Sequence, residues 1–508
     1  KICLCETREC TPEACPYANG YYARIKGALW DVLDVPCLTA ETLQEYAERH
    51  TVCPFELGLD SSLWSDVIIG DYNYLFDPVV HLARFFESAG DYIFLVDEAH
   101  NLPGRAREMH SAALTKTSFY EAKKLLGKGK SSLKNALTKV NDVFIEWRHR
   151  AEEETAARDG RFGKTFFLKE RSEEFDHLLN RLCEPLEAWL DDHREPDETH
   201  TALLQLYFDV RAWLRVADTF DDHFVLQITA SGSEVRAAQL CLDPSAFLAD
   251  SFALGRAAVL FSATLAPASY YKDLCGVPEA RAVALRSPFP AGNQGLFCIG
   301  NVSTRYKDRD ASLAIVEESL ATMVRAHCGN YLAFFPSYAY MEQAYAQFKE
   351  HCPEINCIKQ ENAMDEQQKA AFLAQFVPGP SQTLLGFAVM GGVFGEGVDL
   401  TGDRLIGVGI VGPGLPQVGP RQEQLRDYFE QTRGSGFDYA YRYPGMNKVL
   451  QAAGRVIRTP RDKGVVLLID SRFAMPDYRR LMPPHWSHLK MIYDTEELER
   501  ELWRFWEE

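Results

Sequence analysis

Short apolar runs that stop abruptly at polar segments recur along the chain and set off stretches of two kinds. Asp66-Val-Ile-Ile-Gly and Tyr92-Ile-Phe-Leu-Val place consecutive apolar residues just ahead of a polar segment, as buried parallel strands covered on both faces do. From about Arg105 to Leu240 the pattern turns helical. Leu133, Leu137, Val140, Phe144 and Trp147 are spaced four, three, four and three apart, which puts them on one amphipathic face. Strand character returns at Ala257-Ala-Val-Leu-Phe-Ser-Ala-Thr-Leu, so a first α/β domain is expected to be interrupted by a largely helical insertion and then resumed. Beyond Ser287-Pro-Phe-Pro, strands and helices alternate to the end. Tyr331-Leu-Ala-Phe-Phe, Thr383-Leu-Leu-Gly-Phe, Leu405-Ile-Gly-Val-Gly-Ile-Val and Gly464-Val-Val-Leu-Leu-Ile-Asp are the candidate strands of a second α/β domain. No internal repeat interrupts this alternation.

Composition bounds the class without naming it. A chain of 508 residues exceeds one hydrophobic core and implies three or four units at roughly 100–200 residues each. With 46% hydrophobic and 25% charged residues it is ordinarily globular, and no apolar run approaches the roughly 18 residues of a membrane span. The first residue is Lys1, and a cysteine-rich stretch follows it rather than a basic start and an apolar run; the start reads as a cut edge and the compartment as cytoplasmic. A formal charge of −18 argues against a generally basic surface, so any nucleic-acid contact must be local, made by the lysines and arginines that touch phosphates.

The strongest local chemistry is Val96-Asp97-Glu98-Ala99-His100, directly after an apolar run. At a strand tip one carboxylate can hold the water shell of Mg²⁺ and the next can orient or deprotonate the water that attacks a γ-phosphate. Asp97 is assigned to the metal and Glu98 to the water, with an acidic helix N-terminus as the plain alternative. Ser262-Ala-Thr-Leu follows another apolar run, and Gln451-Ala-Ala-Gly-Arg-Val-Ile-Arg precedes the strand ending at Asp470. In this order the three strings resemble motifs II, III and VI of superfamily 2 helicases, whose two RecA-like domains sandwich ATP. The resemblance implies catalytic roles for Asp97, Glu98, His100, Gln451, Arg455 and Arg458. Gln451 would sense the γ-phosphate, and the two arginines would offer charge to the transition state. Ser262 and Thr264 would belong to the nucleotide site. Gly395-Glu396-Gly397-Val398-Asp399 resembles motif V, so Glu396, Gly397 and Asp399 would couple strand contact to the nucleotide; Phe335-Pro336-Ser337 resembles motif IV.

Cysteines narrow the family further. Of thirteen, Cys3, Cys5, Cys10, Cys15, Cys37 and Cys53 crowd the start. In a long chain with no visible secretion signal, such clustering favours a metal or cluster site over disulfides. Cys53-Pro-Phe-Glu followed by Asp71-Tyr-Asn-Tyr-Leu-Phe-Asp-Pro is similar to the cluster domain and adjoining segment of iron–sulfur helicases of the XPD/DinG type. The resemblance implies a structural [4Fe–4S] cluster on Cys3, Cys10, Cys15 and Cys53, with Cys5 the rival for the first position. A Cys₄ zinc site and plain reduced thiols are the competing readings, the zinc one weakened by the absence of a Cys-x₂-Cys pair.

The expected architecture is therefore α/β, with two RecA-like P-loop NTPase domains, an inserted Fe–S cluster domain and a helical Arch domain. The divisions are 1–58 for the cluster domain, 59–104 and 246–286 for helicase domain 1, 105–245 for the Arch-like insertion and 287–508 for helicase domain 2. The resemblance implies ATP, Mg²⁺ and the cluster as cofactors, single-stranded DNA and duplex junctions as partners, 5′ to 3′ polarity, and a monomer. Lys123, Lys124, Lys128, Lys130, Lys134 and Lys139 could touch phosphates but read more simply as a solvated helix face; Tyr72 and Tyr74 are equally placed to stack on bases or to pack. One part is missing from this pattern. A G-x-x-x-x-G-K-[ST] loop is expected upstream of the cluster, yet the nearest string, Gly163-Lys164-Thr165, has Arg158 where the first glycine belongs and is read as a decoy. The 508 residues are accordingly expected to begin after the P-loop. The alternative is a non-catalytic cluster protein that binds single-stranded nucleic acid.

Overall fold

The structure is a computed structural model describing residues 10–129, 131–157, 163–193, 195, 197–392, 394 and 400–507. The chain forms two compact units, Lys1–Tyr74 and Leu75–Glu508. In the first, the helices Tyr21–Val32, Ala40–His50 and Pro54–Ser61 close on a small core of Tyr21, Ile25, Ala28, Ala47, Val52 and Leu57. Thr39 caps the second helix, its Oγ1 accepting from Thr42 N at 3.2 Å, and Pro54 opens the third at a position where its missing N–H costs nothing. The run at residues 66–70, expected as a buried strand, forms no strand and is exposed at every residue. Apolar content alone does not make a strand where no neighbour takes up its backbone groups.

Among the described residues the second unit holds three sheets. β1 (Ile93–Val96) pairs in parallel with β6 (Ala257–Leu260), 164 residues on, Ile93 facing Ala257; the first α/β domain is thus interrupted and resumed as the pattern predicts. Contrary to the expectation of buried strands, Ile93, Leu95 and Val259 are at least half exposed, an unusual state for a parallel sheet, whose faces are normally both covered. The insertion is largely helical. Its helix Ser132–Ala157 buries Leu133, Leu137, Val140, Phe144 and Trp147 against Phe175, Leu179 and Trp213 of the helices Glu173–Asp192 and Glu198–Asp218. It also holds an antiparallel sheet the helical reading missed: β2 (Ala112–Thr115), β3 (Lys164–Leu168), β4 (Phe224–Ser231) and β5 (Glu234–Cys241), in the order β2-β5-β4-β3. β4 and β5 are joined by the two-residue turn Gly232-Ser233; the φ of +61° at Gly232 is what primed hairpin turns require.

The remaining strands are β7 (Gln294–Ile299), β8 (Asn330–Phe335), β9 (Asn356–Lys359), β10 (Leu384–Val389), β11 (Gly407–Val411), β12 (Gly464–Ile469) and β13 (Lys490–Ile492). All seven are parallel, in the order β13-β7-β12-β11-β8-β10-β9. The four strands anticipated here are present, and β7, β9 and β13 are additional. Alternate residues enter opposite cores, Leu296 and Cys298 on one face and Phe297 and Ile299 on the other, the period-two burial of a sheet covered on both sides. No helix among the described residues is long and apolar enough to cross a membrane.

Candidate active site

β1 delivers the acidic motif. Val96 is its last residue and is buried, after which Asp97 and Glu98 turn out to solvent. Glu98 lies at φ 45°, ψ 39°, a left-handed conformation that costs a non-glycine residue of order 1–3 kcal/mol and clusters at functional sites. Two bonds hold it there: Glu98 N donates to Asp97 Oδ1 at 2.7 Å, and Ala99 N donates to Phe261 O just past β6 at 3.1 Å. Parallel pairing of β1 with β6 therefore brings the Ser262 segment alongside the acidic motif although 162 residues separate Ser262 from His100.

Four side chains from the two α/β domains connect in series. The Gln451 amide nitrogen faces His100 Nε2 at 2.5 Å. An amide nitrogen can only donate, so Nε2 accepts and the ring proton sits on Nδ1. His100 Nδ1 then donates to Ser262 Oγ at 2.8 Å, and Ser262 Oγ donates to Glu98 Oε2 at 3.3 Å. Thr264, buried, donates its backbone N–H to Ser262 Oγ at 3.2 Å. The His100 side chain is 4% exposed while that of Glu98 is 65% exposed, so a buried donor chain ends on a solvent-facing carboxylate oxygen. Its chemical consequence is orientation: one oxygen of Glu98 is fixed by Ser262 while the side chain remains open to water.

Gln451 reaches this chain because the helix Tyr443–Ala453 is held at its start. It continues a π-turn, Asp438–Arg442, whose Tyr439, Ala440 and Tyr441 share an apolar cluster with Tyr270, Tyr271 and Phe429. Tyr439 OH donates to Asp273 and the Gln422 amide donates to Ala440 O. Past the helix end, Arg455 is buried and Arg458 exposed. The turn carrying Arg458 is fixed by Asp462, which accepts from Arg458 N and Thr459 N, both at 2.7 Å; burial would raise this carboxyl's pKa, but the bonds from Thr459 and Arg458 hold it below the usual range. Directly after β12 comes Asp470, fully buried, which accepts from Arg472 Nε at 2.7 Å, Arg472 Nη2 at 2.8 Å and Thr304 N at 3.0 Å. Sequence reasoning passed over this anchor; its signal was an acid closing an otherwise wholly apolar strand.

Other expected residues fall as follows. Glu396, Gly397 and Asp399 lie outside the described residues, as do Cys3, Cys5 and Lys130. Ser337 caps the helix Tyr338–His351 and accepts from Arg309 Nη1 at 3.1 Å. Gly163-Lys164-Thr165 leads into β3, where Lys164 pairs with Glu152 at 2.8 Å, confirming that it is no phosphate loop. Lys134 donates to Gly129 O at 3.1 Å in the loop that precedes its helix. Cys10 is exposed, Cys15 buried and Cys53 half-buried at the helix start Pro54. Among the described residues no three Cys, His, Asp or Glu side chains converge on a point that could hold a metal ion; Cys3 and Cys5 lie outside those residues, and no step is routed through a cluster. Asp97 meets a lighter demand, since Mg²⁺ in phosphoryl-transfer sites takes one or two carboxylates and fills its shell with water and phosphate oxygens.

Comparison with known proteins bears on this geometry. The Helicase C-terminal domain family model matches residues 320–489, which hold β8 to β12 and Gln451, and the DEAD_2 model matches residues 1–119, which hold the early cysteines and the acidic motif. The Schizosaccharomyces pombe protein named general transcription and DNA repair factor IIH helicase subunit XPD is 25% identical over 88% of this chain and 67% of its own length. The Coccidioides immitis ATP-dependent DNA helicase CHL1 is 22% identical over 89% and 60%. The chain belongs to the XPD/DinG-type superfamily 2 helicases. This helicase-family chain also matches the Rattus norvegicus regulator of telomere elongation helicase 1, at 22% identity over 97% of its residues but 45% of the relative, so it spans from under half to two thirds of these three relatives. Its fold matches solved XPD structures: S. tokodaii Xpd4 at TM-score 0.58 and 15% identity, covering 94% of this chain and 95% of that one, and an XPD helicase at 0.56 and 18%, covering 89% and 78%. An XPD/DinG-type chain with RecA-like α/β domains is what the motif order implied.

Proposed function

We propose that the complete protein is an ATP-dependent DNA helicase that moves 5′ to 3′ along a single strand and opens duplex at junctions, in DNA repair or replication. The observation that carries this reading is the donor series from Gln451 through His100 and Ser262 to Glu98. It ties the acid of one α/β domain to a helix of the other, as a motor whose two domains work on one nucleotide requires. Glu98 orients and deprotonates the attacking water, Asp97 carries the metal ion's water shell, and Arg455 and Arg458 supply positive charge to the γ-phosphoryl oxygens. Asp97 would hold Mg²⁺ through its water shell, and the ion would supply charge neutralisation for the phosphates when bound with ATP. The names of the relatives, each a helicase, support the same reading.

The reading requires a phosphate-binding loop outside these 508 residues. The half-exposed faces of β1 and β6 support it, because a parallel sheet of this kind is completed by further strands and covering helices. It also includes a structural [4Fe–4S] cluster on Cys10, Cys15, Cys53 and Cys3 or Cys5, supported by the clustering of cysteines in sequence and by the family. The test is strand displacement from duplexes carrying a single 5′ or 3′ tail, with iron and labile sulfide measured in the same preparation. Unwinding of the 5′-tailed substrate alone is expected. Strand binding with no unwinding in an iron-replete, folded preparation would move the protein to the non-catalytic binding class.

A further inference from the structure

One face of β5 and the helix Pro420–Arg433 enter the same apolar cluster, and the two elements continue past it with a basic residue each. On β5, Arg236 shares its face with Ala238 and Leu240, which are in the seam; on the helix, Arg421 lies one turn before Leu425 and two before Phe429, also in the seam. The apolar ends meet, which leaves Arg236 and Arg421 exposed at the same edge. A third arginine stands behind them. Arg107 donates from Nε to Leu242 O at 2.9 Å, and its guanidinium carbon lies 5.9 Å from the centre of the Phe429 ring. The groups are near enough to act on one another: crowding by neighbouring atoms, and then the charges of Arg107 and Arg236, lower the pKa of Arg421, with Glu108 the opposing acid.

Neither Arg236 nor Arg421 forms an ion pair or side-chain hydrogen bond among the described residues. Acids close along the chain are engaged elsewhere: Glu423 with Tyr441 and Arg426, and Asp243 with Tyr428 and Arg433. In a chain with 72 acidic residues against 54 basic ones, three arginines gathered at one edge with Glu108 as the opposing acid leave an excess of like charge, which lowers stability until an anion joins them.

We infer that Arg236 and Arg421, braced by Arg107, form a phosphate-binding site for a nucleic-acid strand at the seam between the inserted sheet and the second α/β domain. Guanidinium groups match phosphate oxygens bidentately. The site is an open edge and not a closed cavity, which favours one phosphodiester of a polyanion over a free ion, because only the polymer brings neighbouring charges and releases counterions on binding. A strand held here is gripped by the insertion and by the domain that carries Gln451 at once. The inference rests on the nucleic-acid reading above and adds the place and the residues.

The test is anisotropy of fluorescein-labelled oligo(dT) bound to the complete protein across a salt series, comparing wild type with Arg236→Gln/Arg421→Gln and with the doubly lysine-substituted protein. The glutamine variant is expected to bind on the order of tenfold more weakly, and its log–log salt slope to fall by about 0.7, the value for one single-strand phosphate that is no longer neutralised. The lysine variant should recover the slope. Both changes are at exposed positions, and unchanged melting temperatures establish folding. If wild type binds and the glutamine variant matches it in affinity and slope, the site is refuted while the nucleic-acid reading stands; if wild type does not bind oligo(dT), both fall. Calorimetric titration with inorganic phosphate and with a poly-glutamate peptide covers the other sources: loss of either binding in the variant, with oligo(dT) binding intact, overturns the inference in favour of a small-anion or protein-docking site.

Discussion

Replacing Gln451 with leucine removes the amide that faces His100 and little volume, which probes the donor series directly. Leucine keeps the bulk of the side chain, so the cavity contribution is small. The loss is the N–H that faces His100 Nε2 at 2.5 Å. The His100 side chain is 4% exposed, so water does not readily replace the lost donor, and an unsatisfied buried acceptor costs about 1–3 kcal/mol. That free energy should appear as easier local opening of the two segments the bond joins. Amide hydrogen exchange in peptides covering residues 99–109 and 443–453 is expected to accelerate by about 5- to 150-fold, while β8 and β10, in the sheet interior, keep their protection. A cycle with His100→Phe isolates the pair: the double variant should fall short of the summed single effects by roughly 0.5–3 kcal/mol. Exchange within twofold of wild type in both peptides, or additive single effects, would refute the claim that this bond couples the domains.

Three further outcomes follow from the packing and the titrating groups. Asp470→Asn removes a fully buried charge paired with half-buried Arg472 and should cost about 3–5 kcal/mol in chemical denaturation of the second domain; a loss under about 1 kcal/mol would mean the anchor is dispensable. Leu137→Ala, in the core of the insertion, should destabilise that region by about 2–5 kcal/mol, read from exchange in residues 132–157. His110 is stacked on Phe247 at 3.9 Å, and burial pushes its pKa down to about 4, against the opposing charge of Asp77. Its lowered folded value means the unfolded chain binds the extra proton first. The stability from a neutral His110 is therefore present above about pH 6.5 and lost as pH falls toward about 4, by roughly 1–3 kcal/mol. The drop in melting temperature between pH 7 and pH 5 should shrink in His110→Gln, and an unchanged drop would contradict the assignment.

Several elements were legible because local pattern and tertiary role agree. β8, β10, β11 and β12 are buried on both faces, so an unbroken apolar run identifies them, and the helix Ser132–Ala157 advertises its buried stripe by spacing. The β4–β5 hairpin was missed for the same physical reason in reverse: on β5, Val235 and Ala237 enter one core while Ala238 and Leu240 enter another, which erases the alternation that marks a half-buried strand. Residues 66–70 failed the opposite way, apolar and yet exposed. At the site, residue types and motif order singled out Glu98, His100, Ser262 and Gln451, but their connection could not be read along the chain, since 162 and 351 residues separate the bonded pairs. Only the pairing of β1 with β6 and the seating of the helix Tyr443–Ala453 supply it. The arginines at the insertion seam belong to no motif and become visible only when two elements are seen to pack.

The central claim, that Glu98 is the oriented acid of a strand-driven ATPase, is tested most directly by ATP hydrolysis of the complete protein with and without single-stranded DNA, beside Glu98→Gln. The account predicts stimulation by the strand, and a fall of about 10²–10⁴-fold in turnover for the glutamine variant with nucleotide binding retained. Turnover in Glu98→Gln equal to wild type, or no hydrolysis by a folded wild-type protein carrying its phosphate-binding loop, would contradict it.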